Sequence, residues 1–228
     1  MDIWHIRGGN TLEGACFVQG SKNATLPIIA ASIISPARSE LMNVPQLRDV
    51  DAALRILRHL GCTAEQRQNE VFIDSTYLSG SSIPHSLMEE MRSSVIFMGA
   101  LLARCGEARL SLPGGCQLGK RPIDLHLSAL RKMGAQIEED GPEIYCRAER
   151  LRGAEIELPF PSVGATENIM LAACSARGRT VIRGAAREPE ISALQDYLAA
   201  MGAKISGAGS DTVTIEGFAA SGRAVCRI

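Results

Sequence analysis

LSALRKMGAQIEEDGPEIYCRA, residues 127–148, decides the fold. Its first part, Leu127 to Ala135, is an amphipathic run that ends in a Gly-Ala pair, the pattern of a helix with one buried face. The second part, AQIEEDGPEIYCRA, reads as a short strand, a polar turn at Asp140-Gly141 and a second short strand, which is a hairpin. The pattern recurs on either side. ALRILRHLGC (Ala53 to Cys62) leads into CTAEQRQNEVFID, and LQDYLAAMGA (Leu194 to Ala203) leads into AKISGAGSDTVTIEG with a turn at Ala208-Gly209. The three marking glycines, Gly61, Gly134 and Gly202, lie 73 and 68 residues apart, a period longer than that of common solenoids.

A more apolar helix precedes each amphipathic one: Ala24 to Ile34, Ser93 to Ala103 and Thr166 to Ala176. All three are apolar nearly all round, so each is expected to be buried on most faces. Strands are expected before the first and third (Leu12 to Gly20, Leu151 to Phe160) and after all three (Ser39 to Val44, Ala108 to Leu112, Thr180 to Gly184). In the second copy the leading strand must come from VFID through Tyr77-Leu78 or be short. The fold class is therefore α/β (α+β), three β-α-β-α-β-β units with apolar helices at the centre of a pseudo-threefold arrangement. One open sheet is the alternative; a hairpin after every second helix weighs against it.

Composition narrows the function. The 228 residues are 46% hydrophobic and 21% charged, enough for a substantial core. Net charge is −1 and aromatics are 4%, which argues against a nucleic-acid surface built on charge and stacking. No apolar run reaches the length of a membrane span, and the first residues lack the apolar centre of a signal peptide. Seven cysteines without CxxC spacing suit a reducing, cytoplasmic setting. The four histidines stand in no metal-ligand spacing, so no metal and no cofactor are expected.

The chemistry is expected where glycine and cations cluster. In LPGGCQLGKRPIDLH (Leu112 to His126), three glycines permit close approach of backbone to a ligand, and Cys116 lies near Lys120 and Arg121, which favour a thiolate. The same stretch also reads as a turn with an inert buried cysteine, and composition alone leaves both open. Gly20-Ser21-Lys22-Asn23 opens the first apolar helix, Arg92 precedes the second, and Gly164 and Thr166 open the third. Helix N-termini attract anions. Glu188 and Glu190 open the last amphipathic helix, where acids suit the dipole whatever their function. No Ser-His-Asp arrangement, P-loop or dinucleotide fingerprint is present.

These motifs resemble those of the UDP-N-acetylglucosamine 1-carboxyvinyltransferase family, enolpyruvyl transferases that open peptidoglycan synthesis. GSKNA (Gly20 to Ala24), MRSS (Met91 to Ser94), LPGGCQLGKRPIDLH, PFPSVGATEN (Pro159 to Asn168) and AAREPEI (Ala185 to Ile191) carry the likeness almost end to end, as the first half of such an enzyme. The resemblance implies an inside-out α/β barrel domain and a cytoplasmic transferase acting on phosphoenolpyruvate and UDP-N-acetylglucosamine. It implies Cys116 as the catalytic residue that forms a phosphoenolpyruvate adduct and donates a proton. Lys22, Arg92 and Arg121 would hold phosphoenolpyruvate. Asn23, Arg121, Pro122, Asp124, His126, Ser162, Val163 and Gly164 would contact the UDP-sugar, with Lys120, Glu188 and Glu190 in support. Phe160 departs from the family, in which a lysine commonly stands.

Family members are about twice this long. Residues 1–20 are then expected to form a strand segment belonging to the absent second domain, and residues 21–228 the threefold-repeat half-domain with the cysteine loop. The missing C-terminal half would be its partner; no nucleic-acid or membrane partner is expected. A reading of another class is a catalytically silent UDP-sugar or anion-binding module.

Overall fold

The structure, a computed structural model, describes residues 3–11, 13–91, 93–111, 123–217 and 224–228. The first repeat runs α1 (Lys22–Ala31), β1 (Arg38–Met42), α2 (Arg48–His59), β2 (Thr63–Arg67) and β3 (Glu70–Asp74). The second runs β4 (Ser82–Ile83), α3 (His85–Glu90), a 3-10 turn (Ser94–Ile96) continuing into α4 (Phe97–Cys105), β5 (Glu107–Ser111), α5 (Asp124–Lys132), β6 (Gln136–Asp140) and β7 (Glu143–Arg147). The third runs β8 (Glu155–Glu157), α6 (Val163–Ala173), β9 (Arg179–Arg183), α7 (Pro189–Ala200), β10 (Lys204–Ser206) and β11 (Thr212–Glu216), and is followed by β12 (Ala224–Arg227).

Each repeat forms a four-stranded sheet in the same order: β12-β1-β3-β2, β4-β5-β7-β6 and β8-β9-β11-β10. In each the first pair is parallel and the others antiparallel. The α/β class and the threefold repeat stand as expected. The three marking glycines explain the period. Gly61, Gly134 and Gly202 have φ of 94°, 93° and 101°, a conformation that favours glycine. Each follows the last turn of an outer helix, and the next residue's N–H bonds back to the carbonyl five residues earlier (Cys62 to Leu57, Ala135 to Leu130, Ala203 to Leu198). This left-handed cap turns the chain out of the helix and into the hairpin.

Two strand expectations need correction. Residues 13–20 form no strand, and their place in the first sheet is taken by β12, which pairs in parallel with β1. An extended segment becomes a strand only where its amides find partners, and that edge of β1 is already used. In the second repeat the leading strand is short and lies later than VFID, at Ser82–Ile83. VFID is β3, bonded on one edge to β1 and on the other to β2, so it has no edge left to offer the second sheet.

The helices sort by burial as their periodicity predicts. α1 is buried from Ala24 to Ala31, α4 from Phe97 to Leu102 and α6 from Ala165 to Ala173. α4 lies along α6, α1 touches α4, and α2, α5 and α7 cover them. In α2, Val50, Ala53, Leu54 and Leu57 face inward while Asp51, Arg55 and Arg58 face water. α7 is tied to the first sheet by the buried Tyr197 hydroxyl, 2.6 Å from Ser39 Oγ. Tyr197→Phe leaves that serine without its partner in the interior. A loss of about 1–2 kcal/mol in stability is expected, read from the urea midpoint.

Candidate functional site

The N-terminal ends of five helices, α1, α2, α5, α6 and α7, adjoin one another. At the start of α1, Ser21 caps the helix, its Oγ accepting from the Ala24 N–H at 3.3 Å. Lys22 Nζ donates to Asp49 Oδ2 at 2.8 Å, joining α1 to the first turn of α2; both side chains remain part-exposed. Asn23 Nδ2 donates to Glu190 Oε1 at 3.4 Å, joining α1 to the first turn of α7. Pro27 within α1 has no N–H, so the Asn23 carbonyl loses its helical donor and stays open to another.

α6 begins with Ser162 as its cap; Ser162 Oγ accepts from the Ala165 N–H at 3.4 Å. Val163 and Gly164 form its first turn, where amides lack intrahelical acceptors. Thr166 locks this turn: its Oγ1 donates to the Ser162 carbonyl at 2.8 Å and accepts from the Ala186 N–H at 3.1 Å, just ahead of α7. Gly164 packs closely on its neighbour. A Cβ there would meet His126 Cε1 at 3.2 Å. His126 comes from the first turn of α5, so α5 and α6 meet at their starts. Glu188, the N-cap residue of α7, accepts from the Arg187 N–H at 2.8 Å. With Pro161, Gly184, Ala185, Arg187 and Asp211 it lines an open depression of about 500 Å³.

Thus Lys22, Asn23, Glu188, Glu190, Ser162, Val163, Gly164 and His126 are drawn together by the starts of α1, α5, α6 and α7. Asp124, the first residue of α5, is exposed. Arg92, Cys116, Lys120, Arg121 and Pro122 lie outside the described residues. Among the described residues no group of three His, Cys, Asp or Glu side chains could hold a metal, and no helix is long and apolar enough to cross a membrane.

Two residues at this face escaped the sequence reading. Glu167 sits one turn into α6, only 6% exposed, with no hydrogen-bond partner among the described residues. Burial, and then the carboxylates of Glu190 and Glu188, raise its pKa to about 8. Asn168, fully buried, donates to the Val95 carbonyl and to His126 Nδ1, both at 2.9 Å, and accepts from the Gly99 N–H at 2.6 Å. The sequence carries a signal: three polar residues, Thr166-Glu167-Asn168, interrupt an otherwise apolar helix. Cys105, at the end of an apolar helix, reads as protected, yet it is exposed because the last turn of α4 leaves the core after Leu102. Cys174 is fully buried, and burial pushes its thiol up to about 12. Brief alkylation should label Cys105 and spare Cys174, as peptide mapping would show.

An α/β domain of three like four-stranded sheets is the fold this chain shares with solved enolpyruvyl transferases. The structure superposes on the enolpyruvyl transferase NikO from Streptomyces tendae with a TM-score of 0.85 at 22% identity, over 97% of this chain and 53% of that one. It superposes on EPSP synthase from Acinetobacter baumannii with a TM-score of 0.73 at 22% identity, over 94% and 49%. The EPSP synthase (3-phosphoshikimate 1-carboxyvinyltransferase) family matches residues 6–228, and the chain belongs to this family. In sequence it is 51% identical to UDP-N-acetylglucosamine 1-carboxyvinyltransferase 2 of Caldanaerobacter subterraneus subsp. tengcongensis, over 95% of this chain and 52% of the relative. It is 49% identical to UDP-N-acetylglucosamine 1-carboxyvinyltransferase of Halothermothrix orenii, over 93% and 51%. The chain spans about half the length of these curated relatives.

Proposed function

We propose that this chain is the first half of an enzyme that transfers enolpyruvyl from phosphoenolpyruvate to the 3′-hydroxyl of UDP-N-acetylglucosamine, the first committed step of peptidoglycan synthesis. The observation that carries the reading is 46–51% identity, over nearly the whole chain, to relatives bearing that enzyme's name. The gathered helix starts support it, since anionic substrates suit such amides.

In this reading the sugar oxygen forms a bond to C2 of phosphoenolpyruvate while Cys116 protonates C3. The tetrahedral adduct then loses phosphate from C2 and a proton from C3, which restores the double bond. Lys22, Arg92 and Arg121 neutralise the phosphate and carboxylate, and stabilisation of this crowded anionic adduct is the source of rate. Asn23, Ser162, Val163, Gly164 and His126 take the UDP-sugar together with Arg121, Pro122 and Asp124. The second half supplies the base for the sugar hydroxyl, and residues 1–20 pair with it. The exposed apolar side chains of Ile3, Trp4, Ile6, Phe17 and Val18 support that assignment.

The test is phosphate release by the full-length protein with both substrates present. Turnover is expected. Cys116→Ser should lower it by roughly 10²–10⁴-fold, the usual weight of a proton donor, whereas Cys116→Asp, which keeps a donor, should lose less. No turnover by a well-folded sample would defeat the reading and favour a silent binding module.

A further inference from the structure

Asn168 occupies an unusual place in the helix packing. In a regular helix the Gly99 N–H would donate to the Val95 carbonyl. Here the Asn168 carboxamide stands between them: Oδ1 accepts from the Gly99 N–H at 2.6 Å, and Nδ2 donates to the Val95 carbonyl at 2.9 Å. Both backbone groups lie at the junction of the 3-10 turn with α4. A side chain inserted in this way into the hydrogen-bond ladder re-aims the helix start.

The two backbone groups also fix the amide's orientation. An N–H can only donate and a carbonyl can only accept, so the oxygen must face Gly99 and the nitrogen Val95. The nitrogen's second hydrogen then points at His126 Nδ1, 2.9 Å away. His126 Nδ1 must accept, and the ring proton of a neutral imidazole is left on Nε2. The ring lies against Gly164 in the first turn of α6; a Cβ at Gly164 would stand 3.5 Å from Nε2.

We propose that Asn168 is a positioning residue that holds His126 as the neutral, Nε2-protonated tautomer beside the first turn of α6 and ties that histidine to the start of α4. The fixed Nε2–H is a neutral donor for an anionic ligand group seated at the Val163 and Gly164 amides. Its use toward a UDP-sugar rests on the function proposed above. The ring is 7% exposed, and burial lowers its pKa to about 4. The charged residues on the elements packed around it are Asp124, Arg131 and Lys132 on α5, Glu167 on α6 and Glu138, Glu139 and Asp140 on β6; burial is the cause of the shift.

The experiment has two arms. In the first, nitrogen-15 NMR of the histidine rings in the 228-residue chain should show Nδ1 unprotonated and Nε2 protonated from pH 5.5 to 8. Asn168→Asp, which puts an acceptor where Nδ2–H stood, should turn His126 into an imidazolium through that range. Nδ1 protonated in the unsubstituted chain, or titration near 6.5, would overturn the proposal, and that readout needs no variant to fold. In the second, Asn168→Asp and Asn168→Gln are assayed in the full-length protein. Asn168→Asp should raise KM for UDP-N-acetylglucosamine at least tenfold with a smaller change in kcat, and make KM pH-dependent. Unchanged KM with an altered tautomer would overturn the link to the ligand. An inactive full-length parent would defeat the proposed function, while the first arm still decides the positioning role.

Discussion

Gly99→Ala is expected to lower the stability of this chain by roughly 3 kcal/mol and its Tm by about 6–12 °C. Alanine is ordinarily the better helix former by about 1 kcal/mol, so the sign itself is informative. The reason lies between α4 and α6. A Cβ on Gly99 would stand 2.3 Å from the Asn168 carbonyl oxygen and 2.5 Å from Asn168 Oδ1. The first contact is with the backbone of a buried helix, which cannot rotate away as a surface side chain could. Either the two central helices separate, opening voids in a close-packed core, or Asn168 leaves its three hydrogen bonds. Gly8→Ala is the control: that glycine is exposed, with open space around it. Thermal melts of both variants decide the matter. A Gly99→Ala chain as stable as the parent would mean that the α4–α6 contact is looser than described.

Glu167→Gln should stabilise the chain, and by more at high pH. Glu167 is held in the fold by an environment that disfavours its charge: burial first, then Glu190 and Glu188. Its pKa is raised from the ordinary 4.5 to about 8 in the folded chain. The unfolded chain releases this proton near pH 4.5, whereas the folded chain keeps it until about pH 8. The contribution of the neutral acid to stability is therefore complete below the unfolded value and is lost as pH rises through the folded one. Glutamine fills the same space without titrating. The advantage of the variant over the parent should grow by about 3 kcal/mol between pH 5.5 and 8.5, read from paired urea midpoints. A difference that stays flat with pH would show that Glu167 is charged in the fold and has found a partner.

The two residues behind these predictions mark the limit of sequence reading in this chain. Helices and hairpins were legible because they are local. Three glycines at one repeated position, each closing an amphipathic run, set the period, and all three adopt the left-handed conformation that the pattern requires. Strand partners were not legible, because pairing is a property of edges. β12 lies far along the chain from β1, and Ala224–Arg227 carries no pattern that distinguishes it as a partner from the residues before α1. Glu167 was passed over for a related reason. A glutamate early in a helix ordinarily faces water, and only the tertiary packing buries this one and brings Glu190 and Glu188 close to it. Asn168 gives no local sign that it bridges Val95, Gly99 and His126, residues 73, 69 and 42 positions away. Lys22, Asn23, Ser162 and Gly164 were singled out through their motifs. The contacts that draw them together follow from the threefold packing.

In the proposed function this chain presents half of a UDP-sugar site at the gathered starts of α1, α5, α6 and α7. The most direct test is an amide NMR titration of the 228-residue chain with UDP-N-acetylglucosamine. Saturable shifts are predicted at Asn23, Val163, Gly164 and His126, with a Kd on the order of 10⁻⁴–10⁻³ M, as befits a cleft lacking one wall. No shift at these residues up to about ten times that concentration, or saturable shifts confined to another face, would contradict it.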